Sequence, residues 1–136
     1  MTPVTPVPDH YGPPLHKVLD IKMGFADDDA GVAWVTIDPA KHYGNRWAHG
    51  GIAATLADVA TGLAISKQIG NPEERIDGTI ELKINFLRKV VSGDLTATAR
   101  MLHLGKRVAV AEVDVTNGEQ LVAKALATFM LKPPNG

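Results

Sequence analysis

Two patterns of apolar and polar positions divide the chain, and the change between them falls at Gly50 and again near Gly70. Val32 to Ile37 (Val-Ala-Trp-Val-Thr-Ile) is dense in β-branched and aromatic residues and is closed by Asp38-Pro39, which predicts a strand. Before it, Leu15 to Phe25 is apolar enough for a first strand or a short helix, and the Asp27-Asp28-Asp29 run marks a turn. Residues 40–48 have no period and are expected to form a loop. From Gly50 to Gly70 Ala and Leu dominate, proline is absent and apolar residues fall on nearly every face, as in a helix covered on most sides. Beyond it Ile80, Leu82, Ile84 and Phe86 alternate with Glu81, Lys83 and Asn85, the period of a half-buried strand. Leu95 to Leu104, Arg107 to Thr116 and Leu121 to Leu131 give three more strands, separated by Gly105-Lys106 and by Asn117-Gly118, a strong hairpin signal. Pro133-Pro134 stops the last one.

The order is one or two strands, one long helix, then four strands able to form a meander. The fold class expected is α+β, with a curved antiparallel sheet of five to six strands wrapped around one buried helix. A helix apolar nearly all round cannot be covered by one flat sheet face, so the sheet must curl and a second copy is expected to finish the burial. A cystatin-like or split β-α-β arrangement is the competing topology. Residues 1–14 carry Pro3, Pro6, Pro8, Pro13 and Pro14 without the apolar segment of a signal peptide, and read as an irregular leader. Residues 15–136 are then one domain, with a cytoplasmic location expected by default. Ile52 to Ile69 is about long enough to cross a bilayer. It contains Asp58, Lys67 and several other polar residues, so a buried helix is the better assignment and no membrane partner is expected.

Composition narrows the chemistry. The 136 residues carry a net charge of −1, which leaves no broad basic face to neutralise a nucleic-acid backbone. Cysteine is absent, excluding disulfides, thiolate metal sites and a cysteine nucleophile together. His10, His16, His42, His49 and His103 are scattered without ligand spacing, and Ser66 and Ser92 lie in no nucleophile motif, so neither a metal nor a cofactor is expected.

Asp58 is the only ionisable residue between Gly51 and Ser66. An unpaired carboxylate on a buried helix costs several kcal/mol, so it is kept for a partner or a purpose. It could equally cap a neighbouring loop, or face solvent along a polar stripe with Thr55 and Thr61. His49-Gly50-Gly51 stands where loop becomes helix, where the first N–H groups lack intrahelical acceptors and the positive end of the dipole faces outward. Such donors suit a carbonyl oxygen that gains negative charge during acyl transfer, although a plain glycine-rich helix start has the same sequence. Asp58 lies two turns beyond Gly50, roughly 12 Å at about 1.5 Å per residue. One carbonyl cannot be served by both from the same helix, so a site shared across a dimer is the simplest arrangement.

The chain also resembles a known family: the hotdog-fold acyl-CoA thioesterases, in the branch of the phenylacetate-pathway thioesterase and its 4-hydroxybenzoyl-CoA relatives. The resemblance rests on His49-Gly50-Gly51 with Leu56-Ala57-Asp58, on the strand Thr79 to Arg88, on Gly105-Lys106-Arg107, and on Leu121-Val122-Ala123 leading to Thr128-Phe129. It implies metal-free hydrolysis of an aromatic or medium-chain acyl-CoA, with the Gly50 N–H polarising the thioester carbonyl. Asp58 of the partner subunit would act as general base or nucleophile. It further implies that His49 shapes the loop and that Thr79 helps hold the attacking water. On the buried helix and the Gly50–Asp58 spacing, the expected partner is a second copy in a homodimer with shared sites, extended to a dimer of dimers. Asn85, Arg88, Lys106 and Arg107 are weaker candidates for contact with the substrate's CoA moiety, since a lone basic residue is more often a solvated charge. Members of the branch often carry Asn six residues before the His and Gly three before it; here Tyr43 and Arg46 occupy those positions, with Asn45 and Gly44 out of register. Asn45 is therefore a candidate substitute for that amide. Lys89 stands where the branch often has proline. A hotdog dehydratase and a non-catalytic acyl-CoA sensor are the alternatives; the first lacks its His-bearing loop here, and the second would not need Asp58.

Overall fold

The computed structural model describes residues 3–8 and 12–133. His10 and Pro134 lie outside them. In chain order the elements are β1 (Val4–Pro6), α1 (Pro14–Leu19), β2 (Lys22–Ala26), β3 (Gly31–Thr36), α2 (Pro39–His42), α3 (Gly50–Gln68), α4 (Pro72–Arg75), β4 (Ile76–Phe86), β5 (Asp94–Leu104), β6 (Val108–Asn117) and β7 (Gln120–Leu131). One antiparallel sheet contains all the strands in the order β1-β2-β3-β5-β6-β7-β4. This is the helix-in-curved-sheet arrangement expected, with seven strands instead of five or six.

The additional strand comes from the leader. Val4–Pro6 pairs with β2, so these residues are not irregular as the prolines suggested. An edge strand tolerates proline because one side of its backbone makes no ladder bonds, and Val4 gains a packing site against Ala26, Ala30 and Val32. The Leu15–Phe25 segment is both things it could have been, a short helix followed by a strand.

The sheet's inner face is built from small residues. Ala33, Ala97, Ala99, Ala111, Ala125 and Ala127 let α3 lie close, with Leu56 and Ile65 wholly buried between them. Each such side chain contributes about 1.5–3 kcal/mol of transfer free energy. The closest approach is at Gly31, where an added Cβ would sit 2.1 Å from the Ala60 carbonyl oxygen and 2.6 Å from the Ala64 nitrogen. Gly31 therefore fixes how α3 crosses the sheet. Along the helix Leu56, Ala60, Ala64 and Ile65 are covered, while Thr55, Asp58, Val59, Gly62 and Ser66 form a half-buried stripe.

Two details of register differ from simple alternation. The β6–β7 hairpin forms at the expected place, yet Asn117 pairs with Gln120 as the last strand residue and Gly118, at φ +62°, takes the first turn position. The Asn117 amide is thereby free to donate to the carbonyls of Ser92 (3.0 Å) and Asp94 (2.9 Å). In β4, Thr79 lies opposite Phe129 and Glu81 opposite Thr128, leaving Ile80 as the extra residue of a bulge. Ile80 is consequently 55% exposed instead of joining Leu82 and Ile84 on the inner face.

Candidate active site

α3 begins at a polar cap. His49 sits in extended conformation and its Nδ1 accepts the Gly51 N–H at 2.8 Å, while its carbonyl accepts the Ile52 N–H at 2.9 Å. Of the first three helical N–H groups, Gly50 alone has no acceptor among the described residues. The histidine thus neutralises one donor and leaves its neighbour available. Both glycines have a steric reason. A Cβ on Gly51 would lie 2.9 Å from His49 Nδ1 and obstruct the cap; one on Gly50 would lie 3.0 Å from the Phe86 ring.

Gly50 opens onto a cavity of about 500 Å³ whose walls include Trp47, Ala53, Phe86, Val90, Leu95 and Val122, with Arg88 and Lys89 also lining it. Two loops frame it. The loop before α3 is tied to the loop after β4 by the Ala48 N–H on the Val90 carbonyl (2.8 Å) and by the Tyr43 hydroxyl on the Val91 carbonyl (2.7 Å). The Lys89 ammonium lies 4.9 Å over the Trp47 ring between the same loops, a cation–π contact made by the residue that departs from the family pattern. Trp47 and Phe86 were not singled out from sequence. Their signal was an aromatic flanking the His-Gly-Gly motif and one ending the β4 alternation, both more often simple core positions.

Two turns along α3, Asp58 is half-buried and its Oδ1 accepts a hydrogen bond from the Thr79 hydroxyl. The Ile80 bulge makes this possible: regular alternation from Leu82 would point Thr79 away from the helix. Asp58 therefore neither caps a loop nor stands alone in solvent. Of the two threonines expected beside it on a polar stripe, Thr55 is half-buried and Thr61 fully buried, and they donate to the carbonyls of Gly51 and Ala57.

The remaining expected contacts are dispersed within one chain. Asn45 is exposed in the turn closed by the Gly44 N–H on the Trp47 carbonyl (2.8 Å), away from the cavity lining. Asn85 lies opposite Lys124 on the outer face of the sheet, where it bonds the Lys83 ammonium. Arg88 does line the cavity. Lys106 and Arg107 form the exposed β5–β6 tip, whose Arg107 carbonyl holds Leu131, at the Ile76 end of β4 and far from Phe86. Among the described residues no three His, Asp or Glu side chains converge on a metal-sized site.

The span from Trp47 to Lys124, which carries the cap, Asp58 and Thr79, matches the family model described as the thioesterase superfamily over residues 47–124, more than half the chain. The chain belongs to the thioesterase superfamily. Among superfamily relatives, the medium/long-chain acyl-CoA thioesterase YigI of Escherichia coli strain K12 is 38% identical over 95 residues, 61% of this chain and 61% of its own. The 1,4-dihydroxy-2-naphthoyl-CoA hydrolase of Listeria monocytogenes is 28% identical over 119 residues, 87% of this chain and 95% of that one. The solved structure of the PaaI protein of E. coli, from the phenylacetic acid degradation operon, superposes with a TM-score of 0.76 at 27% identity, covering 90% of this chain and 86% of PaaI. The chain thus spans about three-fifths of the length of the first curated relatives it matches, 61%. The thioesterase family expected from the combination of the His49–Asp58 motif with the later strand segments is the family found.

Proposed function

We propose that this superfamily member hydrolyses acyl-CoA thioesters to free acid and CoA. The observation that carries the proposal is that Gly50, whose N–H at the helix end has no acceptor among the described residues, lines a largely apolar cavity on the same helix as a carboxylate oriented by Thr79. The thioester carbonyl accepts the Gly50 N–H, and the helix dipole favours the negative charge that grows on that oxygen. Asp58 takes a proton from water as the water oxygen bonds to the carbonyl carbon. The C–S bond then breaks, and the proton passes to the departing CoA sulfur. Because Thr79 donates to one carboxylate oxygen, the other is left to receive the water proton.

Asp58 lies eight positions beyond Gly50 along α3, about 12 Å, so the two act on one substrate only if they come from different copies. A two-fold axis beside the helix would set the Gly50 end of one α3 against Asp58 of the other. β4 supports this pairing. Among the described residues it is a long edge strand with no neighbour on its outer side, and it exposes Ile80 (55%) and Phe86 (57%), an arrangement that soluble proteins cover. Antiparallel pairing of two β4 edges also brings the Lys106–Arg107 tip of one chain toward the cavity of the other. Leu126 and Met130, exposed on the outer sheet face, offer a second contact for a dimer of dimers.

The cavity's aliphatic and aromatic walls suit an aromatic or medium-chain acyl group. Release of free CoA thiol from phenylacetyl-, benzoyl-, 4-hydroxybenzoyl- and hexanoyl-CoA, compared between the parent and Asp58→Asn, tests the proposal. Activity on any member that collapses in the variant supports it. A folded protein that binds these esters and hydrolyses none of them overturns it in favour of an acyl-CoA sensor.

A further inference from the structure

His42 ends α2 and is 1% exposed. Its Nδ1 accepts the Asp38 N–H at 2.9 Å, so the ring hydrogen sits on Nε2 and is donated to the Leu19 carbonyl at 2.8 Å. A single imidazole thus uses its one acceptor and its one donor on two separate stretches of backbone. The main chain of the same residue makes two more bonds: its N–H reaches the Asp38 carbonyl at 2.8 Å, and its carbonyl receives the His49 N–H at 2.8 Å. His49 is the residue that caps α3 and immediately precedes Gly50.

Between these two histidines the chain closes on itself. Tyr43 and Ala48 form a bridge, the Gly44 N–H bonds the Trp47 carbonyl, and Gly44 lies under the His49 ring. The His42–His49 bond is the base of this small hairpin. On one side the hairpin is held by Val90 and Val91, and on the other by the His42 ring, which ties it to the end of α1 and the start of α2. We propose that His42 is a positioning residue for the reaction: through its ring bonds it fixes the height of His49, and so the direction in which the Gly50 N–H faces the substrate carbonyl. This rests on the thioesterase proposal above.

The test compares His42→Gln, His42→Asn and His42→Leu with the parent, each assayed well below its own unfolding midpoint. Glutamine carries one acceptor and one donor at similar reach; asparagine is too short to span both backbone partners, and leucine offers neither. A displacement near 1 Å at a reacting group costs about a hundredfold in rate. The leucine and asparagine variants are therefore expected to lose about tenfold to a hundredfold in kcat, with KM within about twofold and glutamine within about threefold of the parent. Loss confined to thermal stability, with kcat of the folded leucine or asparagine variant within about twofold of the parent, overturns the proposal. If neither folds, the parent decides by NMR. A hydrolysis-resistant thioether analogue of the active acyl-CoA should shift the Gly50 amide and the His42 Nε2–H together, and movement of Gly50 without His42 overturns it. A parent inactive on every acyl-CoA would instead remove the thioesterase proposal itself, a distinguishable failure.

Discussion

The Thr79 hydroxyl donates to the Asp58 carboxylate across 21 residues of sequence, joining the edge strand β4 to the one ionisable position in the middle of α3. Replacing Asp58 with Asn keeps the shape and removes the base, so kcat should fall by about 10²–10⁴. Thr79→Val removes only the hydrogen bond that orients the carboxylate. A hydrogen bond to a charged group contributes about 1.5–3 kcal/mol, so a loss of about tenfold to somewhat over a hundredfold is expected, less than that of Asp58→Asn. Steady-state kinetics on one acyl-CoA ranks the two, and a Thr79→Val defect as deep as that of Asp58→Asn would assign the threonine a larger part.

The cap makes its own prediction. His49→Ala leaves the Gly51 N–H without its acceptor, and loss of a side-chain cap typically costs about 1 kcal/mol. Gly51→Ala should reproduce that loss with the histidine intact, because the new Cβ would fall 2.9 Å from Nδ1. Denaturant midpoints should drop similarly in the two variants, and the double variant should be no worse than the more damaged single one.

Gly50 and Phe86 are coupled by space. Gly50→Ala places a methyl 3.0 Å from the Phe86 ring, which lines the cavity and must give way by a few tenths of an ångström. Phe86→Ala in the same chain removes the clash, so kcat/KM of the double variant should exceed that of Gly50→Ala alone. Equal or lower activity in the double variant would mean that the methyl acts directly on the substrate.

A shared site predicts complementation. Asp58→Asn and Gly50→Val chains, each inactive alone, should regain activity when unfolded together and refolded. Half of the dimers are mixed at random and each holds one intact site, giving about a quarter of parental activity. No recovery, with mixed dimers shown by mass spectrometry, would place both groups of each site on one chain.

His16 offers a stability test away from the site. Its Nδ1 is buried without a partner among the described residues, and burial pushes its pKa below the usual histidine value. The unfolded chain therefore binds the proton more readily, so the contribution of neutral His16 is present above about pH 6.5 and is lost as pH falls below it. His16→Phe should show a smaller decrease in urea midpoint between pH 7.5 and pH 5.5 than the parent does.

Much of this molecule was legible in one dimension because local periodicity and turn chemistry act over a few residues. The apolar stretch after Gly50 is a long helix, the four later runs are strands, and the His49-Gly50-Gly51 boundary is a helix start whose family relationship is visible in combination with the later strand segments. Alternation could not show the Ile80 bulge, which is set by pairing with β7 and decides that Thr79 meets Asp58. Nor could it show Val4–Pro6 as a strand, because that segment is stabilised by β2 and not by its own sequence. The division of labour between Gly50 and Gly51 also waited for three dimensions: two adjacent glycines are equivalent in sequence, and only the His49 ring's position makes one donor occupied and the other available. The aromatic cavity walls come from loops brought together by backbone bonds between residues some forty positions apart, as in Ala48 with Val90. Sequence determined which elements form; packing between distant segments decided which side chains face one another, because that depends on register and on approach distances that no local pattern encodes.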